Sequence, residues 1–268
     1  MTTSASSIAA WLRDNADLPR IDREVLLADV LERTRAYVFA HPERLLANDD
    51  LRRLDDAASQ LRQGTPIAYV RGWREFFGHR FRVSPYVLVP RPETELLVEL
   101  CVREARTGER VLDLGTGSGA IAISVGIARP DLAVTAIDIS AHALDVARDN
   151  ARTLGASITF AQGCWFEAVT TPHDIVVANP PYIADGDPAL ATLGAEPRLA
   201  LTAGADGLDA IRVIVRQAPS FCRRLLMLEH GADQGAAVRE LLAAAGMTGI
   251  RTETDLAGHD RITWGRLA

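Results

Sequence analysis

From Glu109 onward, short apolar runs of strand length alternate with stretches of helical period, and few folds accommodate that order. ERVLDLG (109–115), LAVTAIDIS (132–140), SITFAQG (157–163), DIVVANP (174–180) and RRLLMLEH (223–230) read as strands. Helices fit between them at 120–128, 141–154, 208–217 and 232–245, and two closing strands fit near 249–255 and 261–267. The pattern predicts an α/β domain over residues 92–268, with a mostly parallel sheet covered by helices on both faces. Ligands of such sheets lie beyond the C-terminal strand ends, near the point where strand order reverses. Residues that directly follow a strand are therefore the first candidates for chemistry.

Upstream the pattern changes. Residues 1–65 show helical period and no strand signal, with Val25, Leu26, Leu27, Val30 and Leu31 on one face and Leu51, Leu54, Ala57, Ala58 and Leu61 on another. Pro19, Pro42 and Gly64 punctuate a bundle of about four helices. It holds no cluster of catalytic residue types, so partner binding or scaffolding is its expected role. Residues 66–91 interleave Tyr69, Trp73, Phe76, Phe77 and Phe81 with Arg71, Arg74, Arg80 and Arg82. One or two β-hairpins are expected here, joining the two domains. Their aromatic and arginine side chains suit either a structural seam or a partner-contacting face.

Bulk properties exclude several functions. All 29 basic side chains are arginine, so no Schiff-base or phosphate-loop lysine is available. A net charge of −6 argues against stable nucleic-acid binding, which needs a basic surface. Cys101, Cys164 and Cys222 are too few and scattered for a zinc cage or disulfide framework, and no histidine spacing suggests a metal. No apolar run is long enough to span a bilayer, and the N-terminus lacks a signal pattern. The expectation is a cytoplasmic monomer.

DLGTGSGAIAI (113–123) follows the first of the domain's strands and opens a helix. Gly115, Gly117 and Gly119 let the backbone turn tightly and approach a ligand, with Thr116 and Ser118 between them. Asp138 ends the next strand, where a carboxylate can take both hydroxyls of a ribose. The spacing is Gly-x-Gly-x-Gly, and Asp113 places an anion before the loop, which suits a cationic ligand better than a phosphate. S-adenosylmethionine, a sulfonium without phosphate, fits; a dinucleotide fits less well. Trp165, in GCWF (163–166), is placed to pack against a flat adenine.

Asn179-Pro180-Pro181-Tyr182 ends the fourth strand. Neither proline can donate to a ladder, and the first pushes Asn179 into an extended conformation. The result is a stiff strand end carrying an amide, carbonyls and an aromatic ring. A planar –NH2 is a poor nucleophile, but the Asn179 side-chain oxygen and the Pro180 carbonyl can hold its two hydrogens toward a methyl donor, while Tyr182 stacks on the flat group. Adenine amines and glutamine amides both satisfy such a clamp. An acid–base role for Glu229-His230 is unnecessary to this chemistry, so that pair is read as fixing local backbone or the substrate loop. Loop 183–205 is read as a flexible lid.

GTPIAYVRGWREFFGHRFRVSPYVLVPRPETELLVE (64–99), DLGTGSGAIAI, GCWF, NPPYIAD, EPRLAL (196–201) and LLMLEHGADQG (225–235), in this order, resemble the peptide chain release factor N5-glutamine methyltransferases, the HemK/PrmC family. The resemblance implies a seven-stranded Rossmann-like class I S-adenosylmethionine-dependent methyltransferase domain, preceded by an N-terminal helical bundle for release factor recognition and a β-hairpin linker. It implies a cofactor site at Gly115–Gly119, Asp138, Trp165 and Asn179, and a substrate glutamine held by Asn179, Pro180, Pro181 and Tyr182. The substrate it implies is the glutamine of the Gly-Gly-Gln motif in class 1 release factors. The alternative activity, nucleic-acid adenine N6 methylation, would use the same clamp on a flipped base. The chain departs from the family at Cys164, where members often carry Asp, leaving a backbone carbonyl to meet the adenine amino group.

Overall fold

The computed structural model describes residues 6–267 and divides into two compact units at Gly72. The first contains α1 (Ile8–Asp14), α2 (Arg20–Val30), α3 (Arg35–Ala40), α4 (Asn48–Arg62) and α5 (Ile67–Arg71). Ser7 and Thr34 cap α1 and α3, each accepting a backbone N–H at 3.2 Å. Ile8, Trp11, Leu27, Leu54 and Ala58 are buried together, and the Trp11 indole donates to Asp55 at 3.1 Å, tying α1 to α4. Arg71 pairs with Asp29, so α5 is held to α2.

The stretch 66–91 begins as a helix and not as a strand. Pro66 stands at the N-cap of α5, where its missing N–H costs nothing, and Gly72 ends the helix at φ +78°. One hairpin follows, β1 (Trp73–Phe76) paired antiparallel with β2 (His79–Arg82). Its two turn residues, Phe77 and Gly78, both have positive φ, the geometry that matches strand twist. Phe77 is strained there, and its N–H is held by Glu95 at 2.8 Å. Phe76 and Phe81 meet edge to face at 5.9 Å within the second unit's own core.

A short 3-10 turn, Pro92–Thr94, leads into α6 (Glu95–Glu104). The order then runs β3 (Arg110–Leu114), α7 (Ala120–Ala128), β4 (Ala133–Asp138), α8 (Ala141–Leu154), β5 (Ile158–Gln162), β6 (His173–Ala178), α9 (Asp209–Phe221), β7 (Cys222–Glu229), α10 (Gly235–Ala244), β8 (Thr248–Thr254) and β9 (Asp260–Arg266). One seven-stranded sheet has the order β5-β4-β3-β6-β7-β9-β8; β9 alone runs against its neighbours, pairing antiparallel with both β7 and β8. Alternating residues of each central strand face opposite layers. Ile175, Val177, Leu225 and Met227 pack on the side of α6 and α7, whereas Val176, Ala178, Leu226 and Leu228 pack on the side of α9 and α10. The strand order reverses between β3 and β6. The residues just beyond those two strands, Gly115 and Asn179, are therefore neighbours at the switch point.

Candidate active site

Beyond β3, Gly115 and Thr116 donate their N–H groups to the Ile137 carbonyl at 2.8 and 3.0 Å, binding the loop to the end of β4. Gly119 opens α7 at φ +82°, and a Cβ there would come within 2.7 Å of the Ile123 side chain. The loop is thus fixed by backbone geometry that no larger residue reproduces. Asp138 accepts the Gly117 N–H at 2.8 Å and the Ser140 N–H at 2.9 Å, which orients both carboxylate oxygens at the cavity rim.

These elements line a cavity of about 420 Å³. Gly115, Thr116, Gly117, Ser118, Asp138, Trp165 and Asn179 all contribute to it, as do Cys164 and Pro181; Gly119 does not, since it supports the loop from behind. Trp165 follows β5 at φ +50°, a strained turn that sets its ring where a Cβ on Gly115 would touch it at 3.5 Å. A second cavity of about 70 Å³ adjoins, lined by Tyr182, Ile183, Leu193 and Leu201. Asn179, Arg91, Leu88 and Ala200 belong to the walls of both. Pro180 is buried and lines neither.

Asp113 departs from its expected position. It shares the strand face of Val111, so its carboxylate turns beneath the loop and away from the cavity. There Oδ2 accepts from the Thr116 hydroxyl at 2.6 Å and from the Ala122 N–H at 3.3 Å, while Oδ1 is buried without a partner. Burial pushes this carboxyl up to about 7, and the nearby Asp138, itself raised by burial, adds to the effect. A cation bound in the cavity stabilises the ionised forms of both, so its binding expels a proton. Affinity for a sulfonium ligand is then expected to rise with pH, by up to about tenfold between pH 6 and pH 8 for one proton; calorimetric titration at several pH values measures it.

The donor set fits S-adenosylmethionine. An acidic ribose partner, a glycine-lined approach and a tryptophan ring suit an uncharged adenosine. Asp138→Ala removes the ribose partner and two bonds that shape the rim. Cofactor dissociation constants should rise about tenfold or more, as for loss of charged hydrogen bonds; an unchanged value would misplace the ribose.

Below the clamp, the structure adds contacts that no local pattern announced. The Asn179 amide donates from Nδ2 to the Thr94 hydroxyl at 3.1 Å. Gln234 donates from Nε2 to the Tyr182 carbonyl at 3.0 Å, and the Gly207 backbone lies directly on that carbonyl. Buried Glu196 accepts the Val89 N–H at 3.0 Å and pairs with Arg91, tying the segment before α6 to the loop after β6. That loop, expected as a lid, is pinned at its base: Ile183 donates its N–H to the Leu201 carbonyl at 2.9 Å, and its own carbonyl accepts the Ala203 N–H at 3.0 Å.

Residues 92–196 match the family described as Methyltransferase small domain, and residues 7–72 match PrmC N-terminal domain. A release factor glutamine methyltransferase of Neisseria gonorrhoeae is 46% identical over 256 residues, covering 93% of this chain and 94% of its own. The chain belongs to the release factor glutamine methyltransferase family. A member from Vibrio cholerae is 42% identical over 263 residues, covering 95% of this chain and 92% of its own. Among solved structures, a T. thermophilus 16S rRNA methyltransferase in complex with AdoMet and guanosine aligns with a TM-score of 0.56 at 19% identity, over 73% of this chain and 50% of that one. A methyltransferase from Pyrococcus furiosus aligns with a TM-score of 0.55 at 16% identity, over 79% and 98%. Both likenesses concern the fold.

Among the described residues of this glutamine methyltransferase family member, no group of His, Cys, Asp and Glu is placed to hold a metal, and no helix is long and apolar enough to cross a membrane. His173 is buried at the opposite end of β6 from the clamp, with burial pushing it down to about 4, and His142 stacks on Tyr86 at 4.6 Å.

Proposed function

We propose that the chain transfers a methyl group from S-adenosylmethionine to the side-chain amide nitrogen (N5) of the glutamine in the Gly-Gly-Gln motif of class 1 peptide chain release factors. One observation carries this reading: Asn179 stands in the wall shared by a cavity of cofactor size and a small one that suits a single planar side chain. Family membership over nearly the whole chain supports the glutamine substrate.

When bound, S-adenosylmethionine supplies an electrophilic methyl on its sulfonium. Asp138 takes the ribose hydroxyls, the loop Gly115–Ser118 approaches the adenosine closely, and Trp165 covers it. In the smaller cavity Tyr182 stacks on the glutamine amide. Asn179 Oδ1 accepts one of its two hydrogens, and the amide reaches the Pro180 carbonyl, outside the walls of either cavity, as its second acceptor; together they turn the nitrogen toward the methyl. The cofactor would supply a methyl that leaves its bonding electron pair on sulfur, and the amide nitrogen that takes it would become cationic. The two acceptors stabilise that charge, and the surplus proton leaves to water. No strong base is required, because the methylated cation is highly acidic.

Residues 1–65 then serve release factor recognition, residues 66–91 connect the two parts, and the protein works in the cytoplasm as a monomer. Mass spectrometry after incubation with S-adenosylmethionine and unmodified release factor tests the assignment. One added methyl on the Gly-Gly-Gln glutamine is expected. Methyl transfer to nucleic-acid adenine in a parallel reaction, with none to glutamine, would overturn it.

A further inference from the structure

An amide side chain has nearly the same shape either way round, and only its partners decide which end is the acceptor. For Asn179 that choice determines what the smaller cavity can bind. With Oδ1 facing inward to the cavity it accepts from an –NH2; with Nδ2 there it would hold a carboxylate or carbonyl instead.

Two buried groups meet behind Asn179. Ala178 and Leu228 are paired across β6 and β7, so Asn179 and Glu229 are the next residues on adjacent parallel strands. Glu229 is 1% exposed and Thr94 is 4% exposed. The Asn179 Nδ2 donates to Thr94 Oγ1, and that hydroxyl has one proton of its own to place. Glu229 is the neighbouring acceptor: hydrogen bonding from Thr94 and from Asn179 partly opposes the burial that pushes its carboxyl up to about 7. Its Oε2 has no partner. An ionised carboxylate only accepts, so every group that faces it must be a donor. A reversed Asn179 would set Oδ1 against this acceptor and leave the amide NH2 pointing at the substrate.

We propose that Thr94 and Glu229 are positioning residues that hold Asn179 with Nδ2 toward them, so that Oδ1 faces the smaller cavity and the site selects an NH2-bearing acceptor. This rests on the amide-acceptor reading given above. It also assigns the buried carboxylate a task that the methyl-transfer step leaves open. The Asn179–Thr94 bond is directional, and Glu229, next to Asn179 across the two strands, is the acceptor left for the Thr94 hydroxyl. The other charged or titratable groups acting on the carboxylate are Glu93, Arg261 and Tyr182, and the positive field of Arg261 favours its ionised form.

Thr94→Val keeps the shape and removes the relay, and Thr94→Ser keeps the hydroxyl. In Thr94→Val, kcat for glutamine methylation at saturating cofactor should fall about tenfold or more, the scale of a lost orienting contact. Cofactor affinity should stay unchanged and Thr94→Ser should restore the rate. In Glu229→Gln the wild-type rise of kcat with pH through neutrality, as the carboxyl ionises, should flatten. A second readout needs no substrate. The Asn179 side-chain NH2 signal of 15N-labelled full-length protein, assigned by its loss in Asn179→Ala, should exchange with water at least about tenfold faster in Thr94→Val, since an opened hydrogen bond no longer protects it. Unchanged exchange overturns the positioning roles whatever the substrate is. So does a kcat within twofold of wild type in both variants. If Thr94→Val does not fold, Glu229→Gln is read by the same exchange measurement. A protected, titrating amide in a wild-type protein that leaves glutamine unmethylated would overturn the substrate reading alone.

Discussion

Asn179→Ala is expected to lower the rate of methyl transfer about 10²–10³-fold, the usual loss when one preorganised polar contact to a developing charge is removed. Cofactor affinity should change little, because the loop Gly115–Ser118, Asp138 and Trp165 remain in place. The substitution removes the acceptor in the shared cavity wall and also strands the Thr94 hydroxyl that received Nδ2. Single-turnover kinetics with cofactor and substrate saturating isolates the chemical step. Near-normal turnover would mean that the Pro180 carbonyl and Tyr182 suffice, and the clamp would have to be rebuilt around them.

Gly207→Ala is expected to cost about a hundredfold in kcat, although Gly207 is given no contact with substrate or cofactor in the proposed mechanism. A Cβ at this position would lie 2.1 Å from the Tyr182 carbonyl and 2.8 Å from Gln234 Nε2. The backbone is also at φ +74°, which disfavours alanine. Tyr182 must therefore move, by something on the order of an ångström, and misplacement on that scale costs about 10²-fold. Cofactor binding should be spared, since neither Gly207 nor Tyr182 lines the larger cavity. Comparing kcat with cofactor affinity in the variant separates this outcome from general unfolding.

Much of this architecture was legible in the sequence because it depends on local patterning. The runs at 109–115, 132–140, 157–163 and 174–180 became β3 to β6 with shifts of one or two residues, and the helices 120–128 and 141–154 match α7 and α8. Unbroken β-branched runs bounded by glycine and proline leave little alternative. The stretch 66–72 misled, because its aromatic and arginine content suggests strands, whereas Pro66 and Gly72 delimit a short helix. Asp113 was read as an anion suited to a cationic ligand at the loop; that its carboxylate lies beneath the loop depends on strand parity, which emerges only once Val111 is seen in the layer of α6 and α7. The contacts that support the clamp were invisible for a different reason. Thr94, Glu196, Gln234 and Gly207 reach Asn179, Val89 and Tyr182 across long separations in sequence, and no spacing rule connects such residues.

The place of β9 has a consequence for biosynthesis. It leaves the ribosome after β7 and β8, yet it sits between them, with Met227 opposite Trp264 on one side and Arg251 opposite Trp264 on the other. Until β9 arrives, β7 offers an apolar open edge and β8 has no neighbour of its own, a condition that invites pairing with other chains. The nascent domain can form its parallel half, β3 to β7, in the order of synthesis. Its closure waits for a strand inserted out of order, so interrupted synthesis yields a sticky half-sheet, and a protein proposed here to act on translation termination depends on translation running through β9.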